Sequence, residues 1–370
     1  MELTKSTWTF EGNTVFVRGV MDGATACAMV TGMNAGNIYI LDFEEVSDIN
    51  FAGIRALLRC RKAGQCFRII NASPSVAEKI EDTGAASFIN VCRKAKPLDL
   101  NKYVEFGASY LSKAFNSLDG DSMLKVYGEN VPKWMVAQEK IIARAVMQFG
   151  IATPLVGTIY EDGGMTALDF ERIEGKKSFS RIISEEPDRL EEITIRFARM
   201  CKHLHSTECD TTIFTDRCIS YRDAILKCAE FTEEEKSAML SFVKNIKPET
   251  TCLHGDMQIS NVITDGKEDL WIDLSDFGYG NHMLDMGMWF FQCLLVPEEN
   301  VQSLFHLGKK QMAEIWDIFI REYFGADTDA KKAEVNAEIE RFAALHMIYL
   351  GSTYGFMPFM PVYIREKLCP

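Results

Sequence analysis

The stretch LHGDMQISNVITDGKEDLWIDLSDFGYG, from Leu253 to Gly280, constrains the fold of this chain more than any other. It begins with His-Gly-Asp, has an asparagine five residues after that aspartate, and carries a second aspartate at the end of an apolar run. Helical patterns lie on both sides of it, so we expect a compact β-rich insertion in a helical region. Its polar residues belong either to turns and solvated strand ends or to a catalytic loop.

Three side chains in this stretch have the chemistry that phosphoryl transfer requires. That reaction needs an acceptor hydroxyl held in line, bound phosphates, and metal ions that neutralise the developing charge. In this interpretation Asp256 takes the proton of the acceptor hydroxyl, and Asn261 and Asp273 give hard oxygen ligands to a magnesium ion. Gly255 permits the tight backbone turn beside them. An isolated His-Gly-Asp would suit an ordinary turn, but the full spacing followed by an apolar strand and Ile-Asp favours catalysis.

The same stretch resembles the catalytic and metal-binding loops of the aminoglycoside phosphotransferase and choline kinase-like family. The resemblance continues through NHMLDMGMWFF, where Asp285 matches an aspartate that opens the next helix and Asn281 stands where the family often has aspartate. It implies an α+β protein-kinase-like fold of two lobes, the first β-rich and the second helical, with ATP and Mg²⁺ as cofactors. It also implies that His254 and Asp285 support the catalytic loop.

The region before this stretch agrees with the resemblance. Lys125 lies inside the apolar strand SMLKVY, where an ammonium group is costly to bury without a partner. The resemblance implies that Lys125 binds the nucleotide phosphates and pairs with a helix glutamate, for which Glu139 in WMVAQEKIIARAV is the best candidate. The alternative is a lysine that extends to solvent and a surface glutamate.

Two further segments are predicted to contact the nucleotide. LDFERIEG resembles the hinge that meets the adenine edge, which places contacts at Glu171 and Ile173. EFGASYLSKAF is the candidate for the turn that covers the phosphates, with Gly107 and Ser109 as the contacting residues. This turn has a single glycine, unlike the glycine-rich loop of protein kinases.

The first hundred residues form a separate α/β pattern. Short apolar runs at 14–18, 38–41 and 67–70 predict strands. A helix is predicted over 51–62, before the third strand, and another opens at Ser73 and Pro74 after that strand. This region resembles the STAS domain, a module that docks onto protein partners. Phe51 and Ala52 stand where that family commonly has two serines, so no hydroxyl is present there for phosphorylation. We predict three parts: a STAS-like domain at 1–98, a nucleotide-binding lobe at 99–173, and a catalytic and acceptor-binding helical lobe at 174–370.

Two other patterns have an ordinary structural interpretation that we favour. Cys201, His205 and Cys209 are spaced four apart, as metal ligands on one helix face would be, but no second ligand pair has zinc spacing. The tail HMIYLGSTYGFMPFMP is rich in aromatic residues and methionine, and suits core or the wall of an acceptor pocket better than a partner surface.

Composition narrows the function further. The net charge of −13 argues against nucleic-acid binding. The longest apolar run, Met286 to Pro297, is too short to span a membrane, and eleven cysteines without a disulfide pattern favour the cytoplasm. We expect an ATP- and Mg²⁺-dependent kinase that phosphorylates a hydroxyl of an aminoglycoside, amino alcohol or sugar-like molecule. The alternative is a non-catalytic nucleotide sensor or scaffold whose STAS-like domain docks a protein partner.

Overall fold

The structure is a computed structural model that describes residues 7–34, 37–108, 112–120 and 122–369. The chain divides into two compact units, one formed by Met1–Gln148 and Thr153–Ile173 and the other by Phe149–Ala152 and Glu174–Pro370. The first unit contains both of the first two predicted parts, so their boundary near residue 98 stays a prediction. Within the described residues, no helix combines the length and the apolar character needed to cross a membrane.

The first unit opens with a five-stranded sheet and three helices. Their bounds are β1 Thr7–Glu11, β2 Thr14–Met21, α1 Gly23–Thr31, β3 Ile38–Ile49, α2 Phe51–Lys62, β4 Cys66–Ala72, α3 Pro74–Asp82 and β5 Asn90–Arg93. The strands lie in sequence order; β1 is antiparallel to β2, and β2 to β5 run parallel. Three crossovers that each contain a helix join the parallel strands, which is the connection a parallel sheet requires.

Alternating side chains divide this sheet into two apolar faces. Phe67 and Ile69 of β4 belong to a core shared with α1, α2 and α3, whereas Ile70 belongs to a second cluster. Successive residues of a strand point to opposite faces, so neighbours in sequence pack against different elements. Local signals also place the helices: Asn50 Oδ1 accepts the Gly53 N–H at 2.8 Å at the start of α2.

The first unit continues with a six-stranded sheet and one helix. Their bounds are β6 Lys96–Pro97, β7 Tyr103–Ala108, β8 Ser112–Ser117, β9 Ser122–Tyr127, α4 Lys133–Met147, β10 Val156–Asp162 and β11 Met165–Glu171. The strand order is β6-β10-β11-β9-β8-β7, in which β6 is parallel to β10 and the other pairs are antiparallel. The sequence predicts this strand-rich segment and its single helix.

The second unit is helical apart from short strands around the stretch that opens at Leu253. Its elements are β12 Lys177–Ser178, α5 Phe179–Glu185, α6 Leu190–Ser206, α7 Arg217–Lys227, α8 Glu233–Asn245, β13 Cys252–Leu253, β14 Val262–Thr264, β15 Asp269–Trp271, β16 Gly278–Tyr279, α9 Met283–Phe290, α10 Glu298–Phe305, α11 Lys309–Phe324, α12 Asp329–Tyr354 and α13 Met360–Leu368. β13 pairs with β16, and β14 pairs with both β12 and β15. The β-rich insertion between helices is therefore as predicted.

Several helix boundaries differ from those that the hydrophobic pattern predicts, and two of the differences have a physical reason in the structure. The apolar pattern predicts one helix from Met283 to Leu295, but the α-helix ends at Phe290 and a π-helical segment, Phe291–Leu295, follows it. A change in hydrogen-bonding pattern within an apolar run leaves no mark on hydrophobic spacing. The apolar pattern also predicts a helix from Ser220 to Cys228, but α7 starts at Arg217, because Asp216 accepts the N–H of Cys218 and caps the helix.

Helices α9 and α12 pack at very short range at Gly287. A Cβ atom at this position would lie 2.4 Å from the carbonyl carbon of Phe342 and 2.6 Å from its oxygen. These are backbone atoms, which cannot move without shifting α12. The absence of a side chain at Gly287 therefore sets the separation of the two helices.

We expect Gly287→Ala to lower the free energy of unfolding by about 3 kcal/mol, because the added methyl group overpacks a backbone contact. Gly308→Ala is the matched control, since a Cβ there finds only Gln311 Oε1, at 3.7 Å. Urea unfolding followed by tryptophan fluorescence measures both variants. Equal stability of the two would contradict the proposed role of this close approach.

Candidate active site

In the first unit, Lys125 and Glu139 form a partly buried ion pair. Lys125 Nζ in β9 lies 2.9 Å from Glu139 Oε1 in α4, and the Tyr127 hydroxyl donates to Glu139 Oε2 at 2.7 Å. The Lys125 ammonium also lies 5.3 Å from the centre of the Tyr127 ring. Glu139 is only 7% exposed, so these partners offset the cost of burying its charge. The Lys125 side chain is 22% exposed, which leaves part of it accessible to a ligand.

The described part of the segment that is predicted to cover the phosphates belongs to β7 and β8, which are paired. Gly107 lies near the end of β7 and pairs with Ala114 of β8, next to a register shift that follows Glu105. Ser109 lies outside the described residues. Contacts of Gly107 and Ser109 with a nucleotide stay predictions.

The predicted adenine hinge follows the last strand of the six-stranded sheet. Glu171 ends β11, and its N–H donates to the Leu155 carbonyl at 2.8 Å. The Glu171 carboxylate accepts the Leu155 N–H in return, at 3.1 Å. Since these bonds engage the Glu171 N–H, an adenine contact at Glu171 would use another of its backbone groups, and the contacts of Glu171 and Ile173 stay predictions.

In the second unit, one buried carboxylate orders the start of the candidate catalytic loop. Asp285 is 2% exposed and accepts the backbone N–H of His254 at 2.8 Å and that of Gly255 at 3.0 Å. Its Oδ2 also lies 3.2 Å from His205 Nε2. Burial is the largest single influence and opposes ionisation, but the interactions of the carboxylate with His205 and His254 together outweigh it and hold the pKa of Asp285 below its usual value. An ionised Asp285 therefore fixes the backbone at the start of the loop.

His254 is fully buried and acts as a structural link inside this loop. Its Nδ1 accepts the N–H of Asp256 at 3.3 Å, so Nε2 carries the ring proton and donates to the Ile272 carbonyl at 3.1 Å. Burial lowers the pKa of His254, which keeps the ring neutral. The ring also packs on Trp271, 4.9 Å between centres. His254 thus ties the loop to the strand that leads to Asp273.

Gly255 is required at its position for two reasons. Its φ of +79° lies in the left-handed region, which L side chains rarely adopt. A Cβ atom would also lie 2.1 Å from the carbonyl oxygen of Asp276. The loop can turn back on itself only if this residue has no side chain.

Asp256 is held by two amide groups and is half-buried. It accepts from Asn261 Nδ2 at 2.9 Å and from Gln258 Nε2 at 3.2 Å. Burial, which is the largest cause, and the negative charges of Asp273 and Asp276 together raise the pKa of Asp256 to about 7. A carboxylate with such a pKa can accept and release a proton near neutral pH.

Asn261 and Asp273 fit a magnesium ion that brings its own phosphate ligands. The Asn261 Nδ2–H group donates to both Asp256 O and Asp256 Oδ2, each at 2.9 Å, which leaves the amide oxygen of Asn261 as the atom for a cation. Asp273 is exposed, and its charge acts on Asp256. The described residues include no group of three or more His, Cys, Asp or Glu side chains placed to hold a metal. Magnesium accepts few protein ligands, so phosphate oxygens and water would complete its shell.

Sequence reasoning did not identify a buried ionic group beside this loop. Arg217 Nη1 donates to Asp276 Oδ1 at 3.0 Å, and the Tyr349 hydroxyl donates to the same oxygen at 3.2 Å. These residues are far apart in the chain, and although Asp276 lies within the Leu253–Gly280 stretch, none of the three was a predicted site residue. His205, considered above as a metal ligand, instead bonds Asp285, and its Nδ1 lies 2.8 Å from the Tyr323 hydroxyl. The Leu204–His205 pair at the end of α6 is the sequence feature that could have indicated this contact with Asp285.

No protein-family model and no curated protein sequence matches this chain. Solved structures do match. A thermostable mutant of aminoglycoside phosphotransferase APH(4)-Ia, in a ternary complex with AMP-PNP and hygromycin B, has 12% identity and a TM-score of 0.52, and the match covers 72% of this chain and 93% of that one. A choline/ethanolamine kinase family protein from Mesorhizobium loti has 15% identity and a TM-score of 0.43, over 72% of this chain and 85% of that one.

The first of these matches shows a shared fold over most of the chain. A sheet-rich segment followed by a helical region is thus the architecture of a solved aminoglycoside phosphotransferase as well as of this protein. Fold alone does not fix the reaction, which depends on the residues of the site.

Proposed function

We propose that this protein is an ATP- and Mg²⁺-dependent phosphotransferase that acts on a hydroxyl group of a small molecule. The observation that carries the proposal is the environment of Asp256, which sets both its position and its pKa. This residue is half-buried, positioned by the amide of Asn261, and its pKa is raised to about 7. A carboxylate built only for solubility or a turn would be exposed and have an ordinary pKa.

Each site residue has a part in this reaction. Lys125, ordered by Glu139, binds the nucleotide phosphates. Asn261 and Asp273 hold magnesium, which neutralises charge on the phosphates when bound. Asp256 positions the acceptor hydroxyl and takes its proton. His254 and Asp285 keep the loop in place through the hydrogen bonds described above.

The acceptor belongs to the class of small hydroxyl compounds. Aminoglycosides, amino alcohols and sugar-like molecules are the candidates, and the solved phosphotransferase of the same fold is bound to hygromycin B.

We further propose that residues 1–98 form a STAS-like domain. None of the eleven cysteines is in a disulfide, which supports a cytoplasmic location.

The test is magnesium-dependent ATP consumption, with and without a panel of aminoglycosides, amino alcohols and sugars. We expect turnover stimulated by at least one acceptor. ATP binding without turnover in any mixture would instead support the alternative, a nucleotide sensor. ATP at 100 times its dissociation constant should stabilise the fold by about 2.7 kcal/mol, so a melting experiment without such a shift would exclude both functions.

The raised pKa of Asp256 predicts a pH dependence. Because only the ionised carboxylate can take a proton, kcat/KM for the acceptor should rise through a pKa of about 7 and fall roughly tenfold per pH unit below it. Magnesium near Asp273 would offset one of the charges that raises this pKa, so kcat/KM for the acceptor should fall off at lower pH with saturating Mg·ATP than with subsaturating Mg·ATP, where free enzyme predominates. A flat profile between pH 5.5 and about 8 would argue against Asp256 as the base.

A further inference from the structure

Helix α4, which carries Glu139, is covered by two different sheets. Val136, Ala137 and Ile141 of α4 form one apolar cluster with Tyr127, Ile159 and Leu168 of the six-stranded sheet and with Ile70 and Cys92 of the five-stranded sheet. All eight residues are buried. The helix therefore closes the second face of the first sheet, the face that α1, α2 and α3 leave uncovered.

Hydrogen bonds and the path of the chain also connect the five-stranded sheet with α4 and with the six-stranded sheet. Arg144 of α4 donates to the Val91 carbonyl of β5 at 3.5 Å, and the chain leaves β5 to form β6 in the second sheet. Leu98 then donates its N–H to the Glu161 carbonyl of β10 at 2.9 Å. Burial lowers the pKa of Lys140 and raises that of Cys92, as expected where α4 lies against β5 with little water between them.

This packing connects the first sheet to the nucleotide-binding pair. Glu139 reaches Lys125 only if α4 keeps its distance from β9, and packed interiors transmit small displacements because they have few voids. In kinase-like folds the position of this helix decides whether the lysine is aligned on the phosphates. Residues at the contact between the first sheet and α4 therefore act on the pair without touching a ligand.

We propose that the first sheet positions α4 and through it the Lys125–Glu139 pair, so that residues 1–98 serve as a regulatory domain for nucleotide binding within the same chain. The inference rests on the proposed function for the role of Lys125 toward nucleotide, but not for the packing itself. A partner or ligand that shifts the first sheet would change ATP affinity, and ATP would change the affinity for that partner by the same factor.

Two neighbouring residues of β4 provide a matched test. Ile70 packs against α4, whereas Ile69 points into the core of the first domain, and both are buried. Ile→Val and Ile→Ala variants at each position remove the same atoms from one strand. The valine variants are the milder change and provide a comparison if an alanine variant fails to fold. Circular dichroism and melting curves establish that the compared proteins are folded.

The first measurement is the KM for ATP together with kcat. We expect Ile70→Ala to raise the KM for ATP at least about fivefold, and Ile69→Ala to change it less than about twofold at a comparable loss of melting temperature. Ile70→Val should lie between Ile70→Ala and the parent protein. The same increase in KM at both positions would overturn the inference even if the parent protein turns over ATP.

The second measurement does not depend on nucleotide. The rate at which an amine-reactive acylating reagent modifies Lys125, read by mass spectrometry, reports whether Glu139 still pairs with it. We expect acylation to accelerate at least about threefold in Ile70→Ala but not in Ile69→Ala, with the exposed Lys113 unchanged in both. If the parent protein binds no ATP, the proposed function fails, and equal acylation at Lys125 in both variants would separately overturn the positioning role.

Discussion

Replacing Asp256 by alanine is expected to reduce turnover roughly 10³-fold while ATP affinity changes by less than about threefold. Asp256 interacts with Asn261 and Gln258 and is assigned to the acceptor hydroxyl, whereas nucleotide binding is assigned to other residues. The comparison requires turnover with the best acceptor of the panel and a separate ATP titration. Turnover within about tenfold of the parent protein would exclude Asp256 as the base.

The ionised carboxylate of Asp256 is expected to lower the stability of the fold although the proposed reaction needs it. The pKa of Asp256 is raised from 3.8 to about 7, so the folded protein binds this proton more tightly than the unfolded chain does. The resulting loss of stability is absent below pH 4, grows as the pH rises to about 7 and is complete above it. Asp256→Asn should therefore raise the free energy of unfolding by about 1 to 4 kcal/mol at pH 8, and by less at pH 5.

Asp265 supplies the control for both effects. This exposed aspartate accepts the N–H groups of Lys267 and Glu268 in the turn between β14 and β15, and the first of these bonds is the main cause of its lowered pKa. Asp265→Asn should leave turnover unchanged and reduce stability slightly at pH 8, the opposite sign. A stability gain at pH 8 in both variants would mean that general charge reduction, rather than burial of Asp256, is responsible.

Replacing Asp285 is expected to have the largest effect on stability. Its carboxylate serves the His254 N–H, the Gly255 N–H and the His205 ring, all in a buried setting. Asp285→Ala would leave these groups without their partner and should cost about 3 to 5 kcal/mol, with loss of turnover in the fraction that remains folded. Asp285→Asn should be nearly as harmful, because an amide has a single oxygen for three groups.

Urea unfolding followed by tryptophan fluorescence measures this effect. Asp269 is the control, since its ion pair with Arg196 is partly exposed and its replacement by asparagine should cost about 1 kcal/mol or less. If Asp285→Ala were no more destabilising than Asp269→Asn, the candidate catalytic loop would be held by other contacts.

The sequence predicts the candidate site residues better than it predicts the distant residues that hold them in place. The five-residue spacing from Asp256 to Asn261 is local, and the structure joins these two side chains at 2.9 Å. The helix around Glu139 and the strand around Lys125 follow from hydrophobic periodicity. Their catalytic and binding roles, like those of Gly107, Ser109, Glu171 and Ile173, remain predictions.

Contacts between distant parts of the chain were not predictable in this way. Arg217, Asp276 and Tyr349 meet although they lie in three separate elements, and a buried arginine has no distinctive sequence pattern. Ile70 and Ile69 look alike in sequence, yet they pack against different partners. Apolar periodicity shows which side chains are buried, but it carries no information about which element covers them.

The backbone at Asp273 has a consequence for how this protein tolerates variation. Asp273 has φ +59° and ψ +56°, a left-handed conformation that disfavours side chains and that glycine adopts freely. Glycine at this position would relax the chain and remove the carboxylate assigned to magnesium. Selection of a mutant library for thermal stability and selection of the same library for activity would therefore choose different residues at position 273.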